Sequence, residues 1–351
     1  MAARASSRTR RRAGKRPWWL NLSYEELLQV RICDLKLDIR GTALEARVER
    51  LNAELHHRGL CFRPYIWLST DWFTPDHLTG FAIPFFLAHP RLARLEYQQM
   101  FEVEGGGHAA CMKLLRHETG HAIDHAFGLH RRKRWREVFG KVSQPYRTTY
   151  TPNPRSRSFV LHLDHWYSHS HPLEDFAETF AVWLQPRAQW RRRYRDWPAL
   201  KKLQFVDEWM AELAGQKAPT HTREKPDSLS KLRFTLAEYY QRRKTLYRNS
   251  ASDEHDRQLL RVFSKDPAYR RRETAVAFLK RNRTALRSRV SFVTGYHRYG
   301  VDQALNIMIT RCRELGLRKM RAETESRMAS AVFLTVLTTD LLRGTRRPYQ
   351  R

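Results

Sequence analysis

The 351-residue sequence predicts an α+β fold: a mostly helical region with a small mixed sheet, followed by a helical, basic carboxy-terminal region. Two observations carry that prediction. Apolar residues recur at helical spacing through most of the chain, and only two short runs, FRPYIWLS and FAIPFFLA, read as strands. A hydrophobic content of 41% with 12% aromatic residues supplies enough apolar surface for a buried core, and the length suits one substantial domain plus a smaller one.

Residues 1–16 hold seven basic and no acidic side chains, which predicts a disordered tail. The segment SYEELLQVRICDLKLDI follows at helical spacing, with Ser23 and Glu26 as a capping box, and ALEARVERLNAELHHRG is a second helix ending at Gly59. The two strands come next, separated by the turn-rich TDWFTPDHLTG. In EVEGGGHAA the glycines free the backbone before the helix KLLRHETGHAIDHAF. Beyond it, GLHRRKRWREVFGKV is amphipathic and basic, SQPYRTTYTPNPRSRS is a loop, and the apolar SFVLHLDHWYSHSHP leads into LEDFAETFAVWLQP, a helix bounded by Pro172 and Pro186. The expected organisation is a tail at 1–16, a first domain at 17–215, a polar linker at 216–230 and a basic helical domain at 231–351. No repeat at solenoid periods is present.

Charge is unevenly placed. Residues 1–16 carry +7, residues 17–215 carry +4 and residues 216–351 carry +18, making the total of +29. An excess of this kind points to polyanion or nucleic-acid contact through the tail and the carboxy-terminal region, although basic faces that are simply solvated give the same count. The four cysteines, Cys33, Cys61, Cys111 and Cys312, form no CxxC pair, which argues against a zinc ribbon and for a reduced, cytoplasmic setting. The basic amino terminus is followed by Trp18, Trp19 and Leu20 but by no apolar core of a signal peptide, so secretion is not expected. The tract SAVFLTVLTTDLL at 330–342 is too short to span a bilayer and reads as a buried helix, so no membrane is expected as a partner.

The chemistry concentrates in two helices. His117 and His121 stand four apart, nearly above one another on a helix, so both rings can reach one atom and form half of a tetrahedral zinc shell. Glu118 falls on the stripe of Cys111, Leu115, Ala122 and Ala126, where a carboxylate needs a partner and a metal-bound water is one. A third ligand is required, and the helix after Pro172 offers Glu174 and Glu178 at i, i+4 beside the apolar stripe of Leu173, Phe176, Ala177, Phe180 and Leu184. Two such carboxylates repel unless a cation or a bonded histidine separates them. In this reading Glu174 ligates and Glu178 accepts the free ring N–H of a ligating histidine, fixing its tautomer. Asp124, on the ligand stripe, is a candidate for the same supporting role or an ordinary surface acid.

With His117-Glu118-x-x-His121 followed some fifty residues later by Glu174-Asp175-Phe176-Ala177-Glu178, the chain resembles the gluzincin class of zinc metallopeptidases. The stretches GGGHAACMKLLRHETGHAIDHAF and HPLEDFAETFAVWL resemble a bacterial family of zinc-binding metallopeptidases, from about Trp18 to about Gly215. More distantly, HETGHAIDHAFG is similar to the motif helix of the anthrax lethal factor peptidase domain. The resemblance implies a zincin-like catalytic domain, one zinc per chain, His117, His121 and Glu174 as ligands, Glu118 as general base, Glu178 behind the ligands, and Tyr167, seven residues ahead of Glu174, as a catalytic tyrosine. The amino-terminal cysteine ribbon of many members is missing here.

The leading expectation is therefore zinc-assisted hydrolysis of an amide bond in a protein or peptide substrate, with Tyr167, His165 or His171 as the oxyanion donor. The strand-like GFAIPFFLA is either an edge along which a peptide lies or a buried strand. The alternative is a nucleic-acid-associated binding protein with a structural or vestigial zinc site, resting on the basic tail and the +18 region, in which no helix-turn-helix, zinc-finger or RNA-binding signature occurs.

Overall fold

A computed structural model describes residues 16–146, 150, 153–245 and 255–342. Residues 1–15, which make up nearly all of the expected basic tail, lie outside the described residues. Fourteen α-helices and four short strands are formed among those described. The order begins α1 (Tyr24–Leu28), α2 (Ala43–His57), β1 (Tyr65–Ser69), β2 (Gly80–Pro84), α3 (Pro90–Met100), α4 (His108–Phe127), α5 (Lys133–Phe139), α6 (Pro172–Leu184), α7 (Trp190–Arg193), α8 (Ala199–Glu212) and α9 (Leu236–Thr245). It continues with α10 (Asp256–Val262), β3 (Phe263–Ser264), α11 (Ala275–Arg281), α12 (Arg283–Thr294), α13 (Arg298–Glu314), β4 (Arg318–Lys319) and α14 (Glu323–Leu342). Helices dominate a small mixed β component, as the sequence pattern predicts.

The capping box is present, with Glu26 N–H bonded to Ser23 Oγ and Ser23 N–H to Glu26 Oε2. The helix it starts is shorter than the periodicity predicts, ending at Leu28, and Ile32–Leu35 forms a 3-10 turn that buries Ile32 and Leu35. The backbone N–H groups of Ile32 and Cys33 bond to the carbonyls of Phe234 and Leu232, so a distant segment competes with helix continuation there.

β1 and β2 run parallel, Tyr65 opposite Gly80 through Ser69 opposite Pro84, and Phe73 bridges Ala82 antiparallel on the other side of β2. All five residues of β2 are buried. Of the two readings of GFAIPFFLA, the buried strand is the one formed, because the Phe73 segment occupies the flank a substrate would use.

Two large hydrophobic clusters, and a small third one of Trp67, Leu78 and Ala82, make up the core of the described residues. The first draws on residues from Trp19 to Tyr240, and the second on Leu259 to Leu337. The segment expected as a polar linker at 216–230 is instead tied to β1. Tyr65 Oη, Trp67 Nε1 and Ser69 Oγ, all on one face of that strand, donate to the carbonyls of Glu224, Pro226 and Asp227 at 2.8–2.9 Å. Leu232, Leu236, Tyr239 and Tyr240 then bury in the first cluster. The first packed unit thus extends through α9 to Thr245, past the expected boundary at 231. Phe333, Leu334 and Leu337 of the apolar tract at 330–342 bury within α14, and no described helix is long and apolar enough to cross a membrane.

Candidate metal centre

α4 starts after the glycine-rich turn at Gly107 and ends where Gly128 takes a left-handed φ of 59°, a conformation glycine reaches without a Cβ penalty. From Cys111 to Phe127 nearly every side chain is buried, and α6 is buried over all thirteen residues. A helix covered on every side must satisfy each polar group it carries. Arg116 does so through two bonds to Glu54 at 2.8 and 2.9 Å, and Thr119 through the carbonyl of Leu115.

α4 and α6 cross where Gly120 meets Ala177. A Cβ on Gly120 would stand 2.8 Å from Ala177 Cα, closer than such atoms approach. This contact brings the two motif helices together and sets three side chains against one another. His117 Nε2, His121 Nε2 and Glu174 Oε2 form a triangle with every edge 3.2 Å. The corners of a tetrahedral zinc shell with bonds near 2.0–2.1 Å lie about 3.3 Å apart, so the three donor atoms are spaced as one face of such a shell. Two imidazoles and a carboxylate are also a donor set that zinc accepts.

Behind the triangle, Glu178 Oε1 lies 2.9 Å from His117 Nδ1, and its other oxygen accepts the Leu163 N–H at 2.8 Å. The Nδ1–H donated to Glu178 leaves Nε2 with its lone pair toward the triangle. Burial works against charge on His117, but Glu174 and Glu178 override it and hold the imidazole pKa well above its usual value. Burial would likewise raise Glu174, yet His121 and His117 draw it far below the carboxylate range. Glu118 goes the other way, since burial raises its pKa more than the two imidazoles and the hydroxyl of Thr74, 2.8 Å from Oε2, bring it down.

Of the residues singled out from the sequence, His117, His121, Glu174 and Glu178 are in direct contact, and Glu118 lines the cavity beside them. Tyr167 is buried with its ring 5.8 Å from that of His117 and also lines the cavity. Asp124 supports neither metal-site imidazole by a hydrogen bond, because its two oxygens take the backbone N–H and Nδ1 of His130 at 2.8 and 2.6 Å. His171 caps α6 through Nδ1 and donates from Nε2 to the carbonyl of Gln144, so both its nitrogens are occupied. The side chain of His165 lies outside the described residues.

Tyr146 is the site residue that sequence reasoning missed. Its hydroxyl donates to Glu174 Oε1 at 3.1 Å while its ring stacks on His171, with centroids 3.8 Å apart. Burial at its hydroxyl end, then the Glu174 charge, raises the phenol pKa. It sits in a polar loop without periodicity, where no spacing rule marks it. The cavity in front of the triangle holds about 340 Å³, with Thr74, Tyr146, Tyr167 and Asp227 on its walls.

Residues 109–191 match the model of a family described as "Putative zinc-binding metallo-peptidase", a span that contains all three triangle residues and Glu178. No curated protein and no solved structure matches the chain. The likeness to the lethal factor domain thus rests on the motif residues and their spacing alone.

Proposed function

We propose, starting from the match of residues 109–191 to a zinc-binding metallopeptidase family, that this protein hydrolyses an amide bond in a protein or peptide substrate, using one zinc per chain held by His117, His121 and Glu174. The observation that carries the reading is the three-donor triangle opening on a cavity. A structural zinc site closes with a fourth protein ligand, whereas a catalytic one leaves that position to water and substrate. Zinc at this position supplies Lewis acidity that makes water nucleophilic near neutral pH and polarises a carbonyl.

The chain's own groups do the rest. Glu118, buried in the cavity wall and oriented by Thr74, takes the proton from the attacking water and passes it to the departing amine. Glu178 keeps the His117 ring in the tautomer that presents Nε2, and Leu163 N–H keeps Glu178 in place. Tyr146 holds Glu174 with its hydroxyl, and Tyr167, on the same cavity wall, offers the phenol O–H that donates to the oxygen that gains charge as water adds. Four free cysteines support a reducing, cytoplasmic setting. The competing reading, a nucleic-acid-associated protein with a structural zinc, draws on the +18 of residues 216–351.

The Glu118→Gln variant separates the two. It keeps side-chain size, so zinc content and thermal stability persist, while cleavage of any peptide the parent hydrolyses falls by about 10²- to 10⁴-fold. A comparison of peptide termini in cells producing the parent or the variant supplies the substrate. Identical termini from two zinc-loaded proteins would remove the peptidase reading.

A further inference from the structure

A second cleft, of about 660 Å³, lies beside the metal centre, lined by His130, Arg131, Lys133, Arg136, Lys141 and Val142 along with Glu137 and Ser143. The basic run from Arg131 to Arg136 is sorted by the fold. Arg134 turns away to pair with Glu212 and lies over the Trp209 ring, 4.0 Å from its centroid. Arg131, Arg136 and Lys141 are exposed and make no ion pair among the described residues, while Lys133 reaches Glu137 at 3.8 Å, both ends in solvent. Three uncommitted cations thus face one concave surface.

The cleft adjoins the catalytic cavity along two paths. His130, on its wall, has its ring 6.0 Å from that of His125, which lines the catalytic cavity. From Lys141 the chain needs only five residues to reach Tyr146, whose hydroxyl is on Glu174. A polypeptide lying across the metal centre would therefore run into the cleft within a few residues of its reacting bond, since an extended chain advances about 3.4 Å per residue.

We propose that this cleft binds an acidic stretch of the polypeptide substrate, its Asp and Glu carboxylates on Arg131, Arg136 and Lys141, and so selects chains with acids a few residues from the bond to be cut. The assignment rests on the peptidase reading. An acidic peptide fits better than a nucleic acid because no Phe, Tyr or Trp lines the cleft to stack a base, the one ring on its wall, His130, being held by Asp124, and stacking supplies much of single-strand affinity. Guanidinium pairs also suit the planar carboxylate, and a rim of exposed charge favours capture and register over tight binding.

The test measures fluorescence anisotropy of a short labelled Glu-Ser repeat peptide on zinc-loaded full-length protein carrying Glu118→Gln, so that binding is read without turnover. Arg131→Gln/Arg136→Gln/Lys141→Gln is compared with Lys280→Gln/Arg289→Gln/Arg313→Gln, which removes the same charge from exposed positions in the second unit. Three exposed pairs together are worth about tenfold, so the Kd should loosen by that factor in the first variant and stay unchanged in the second. Arg131→Gln alone, with little risk to folding, should loosen it about two- to threefold. Equal losses in both triple variants would reduce the cleft to general charge and overturn the proposal. So would a parent that does not bind the peptide, or a cleft variant that loses oligothymidylate but keeps the peptide, which would make this a nucleic-acid surface. Hydrolysis by Glu118→Gln at a rate close to that of the protein with Glu118 intact would count against the base assignment, while the comparison between the two triple variants would still be readable.

Discussion

Glu178 spends both of its oxygens, one on His117 Nδ1 and one on the Leu163 N–H, and touches no atom that would meet a substrate. Its loss should act through orientation alone: Glu178→Ala weakens zinc binding by about 10- to 100-fold, whereas His121→Ala or Glu174→Ala empties the site, as metal analysis after chelator treatment would show. Protons compete for the same atom. Because Glu174 and Glu178, against the effect of burial, raise the metal-free His117 pKa, its Nε2 must shed a proton before it can ligate. Zinc affinity should therefore weaken as pH falls and binding should release protons, which calorimetry in buffers of different ionisation heat measures. A pH-independent affinity would contradict the ligand set. The helical motif residues were legible because a helix fixes i, i+4 geometry whatever surrounds it. Tyr146 was not, since only tertiary folding brings its loop to Glu174. Asp124 shows the limit of stripe reasoning, which names a face of the helix but not the neighbour there, and that neighbour is His130.

At the scale of elements, the centre depends on how closely α4 approaches α6. Gly120 permits that approach, and its requirement comes from crowding rather than from φ, since a methyl group there meets the α6 backbone at Ala177. Gly120→Ala should cost about 1–3 kcal/mol by overpacking and should also weaken zinc binding, because prising the helices apart lengthens the edges that end on Glu174. Paired thermal melts and metal titrations check this, and a variant with parent-like zinc affinity would show that the crossing does not set the triangle. Both helices were readable from caps, prolines and apolar stripes. The extent of α1 was not, because periodicity through residues 23–39 is satisfied by a short helix and a 3-10 turn whose N–H groups pair with residues 232 and 234, two hundred positions away. Nothing local encodes that competition.

On the scale of the whole molecule, two hydrophobic clusters meet through a few contacts, such as His297 with Glu102 at 2.8 Å and Tyr299 stacked on Phe101. Calorimetry should resolve two transitions, and removing zinc should lower only the one belonging to the unit that holds the site, since a ligand stabilises the unit that binds it. A single transition lowered as a whole by chelator would mean the units unfold together. Charge asymmetry and the helical character of the second unit were legible from composition, but the boundary was not, because the polar sequence 216–230 earns its place by carbonyls that accept bonds from Tyr65, Trp67 and Ser69, and carbonyls leave no mark in a sequence. Those bonds bear on how the molecule can be cut. A recombinant fragment ending at Gly215 would expose the indole of Trp67 and the ring of Tyr65 and strip Pro226 and Asp227 from the cavity wall, so poor solubility would be mistaken for an intrinsic property of the protein; a fragment carried on to Thr245 keeps the strap and its anchor helix.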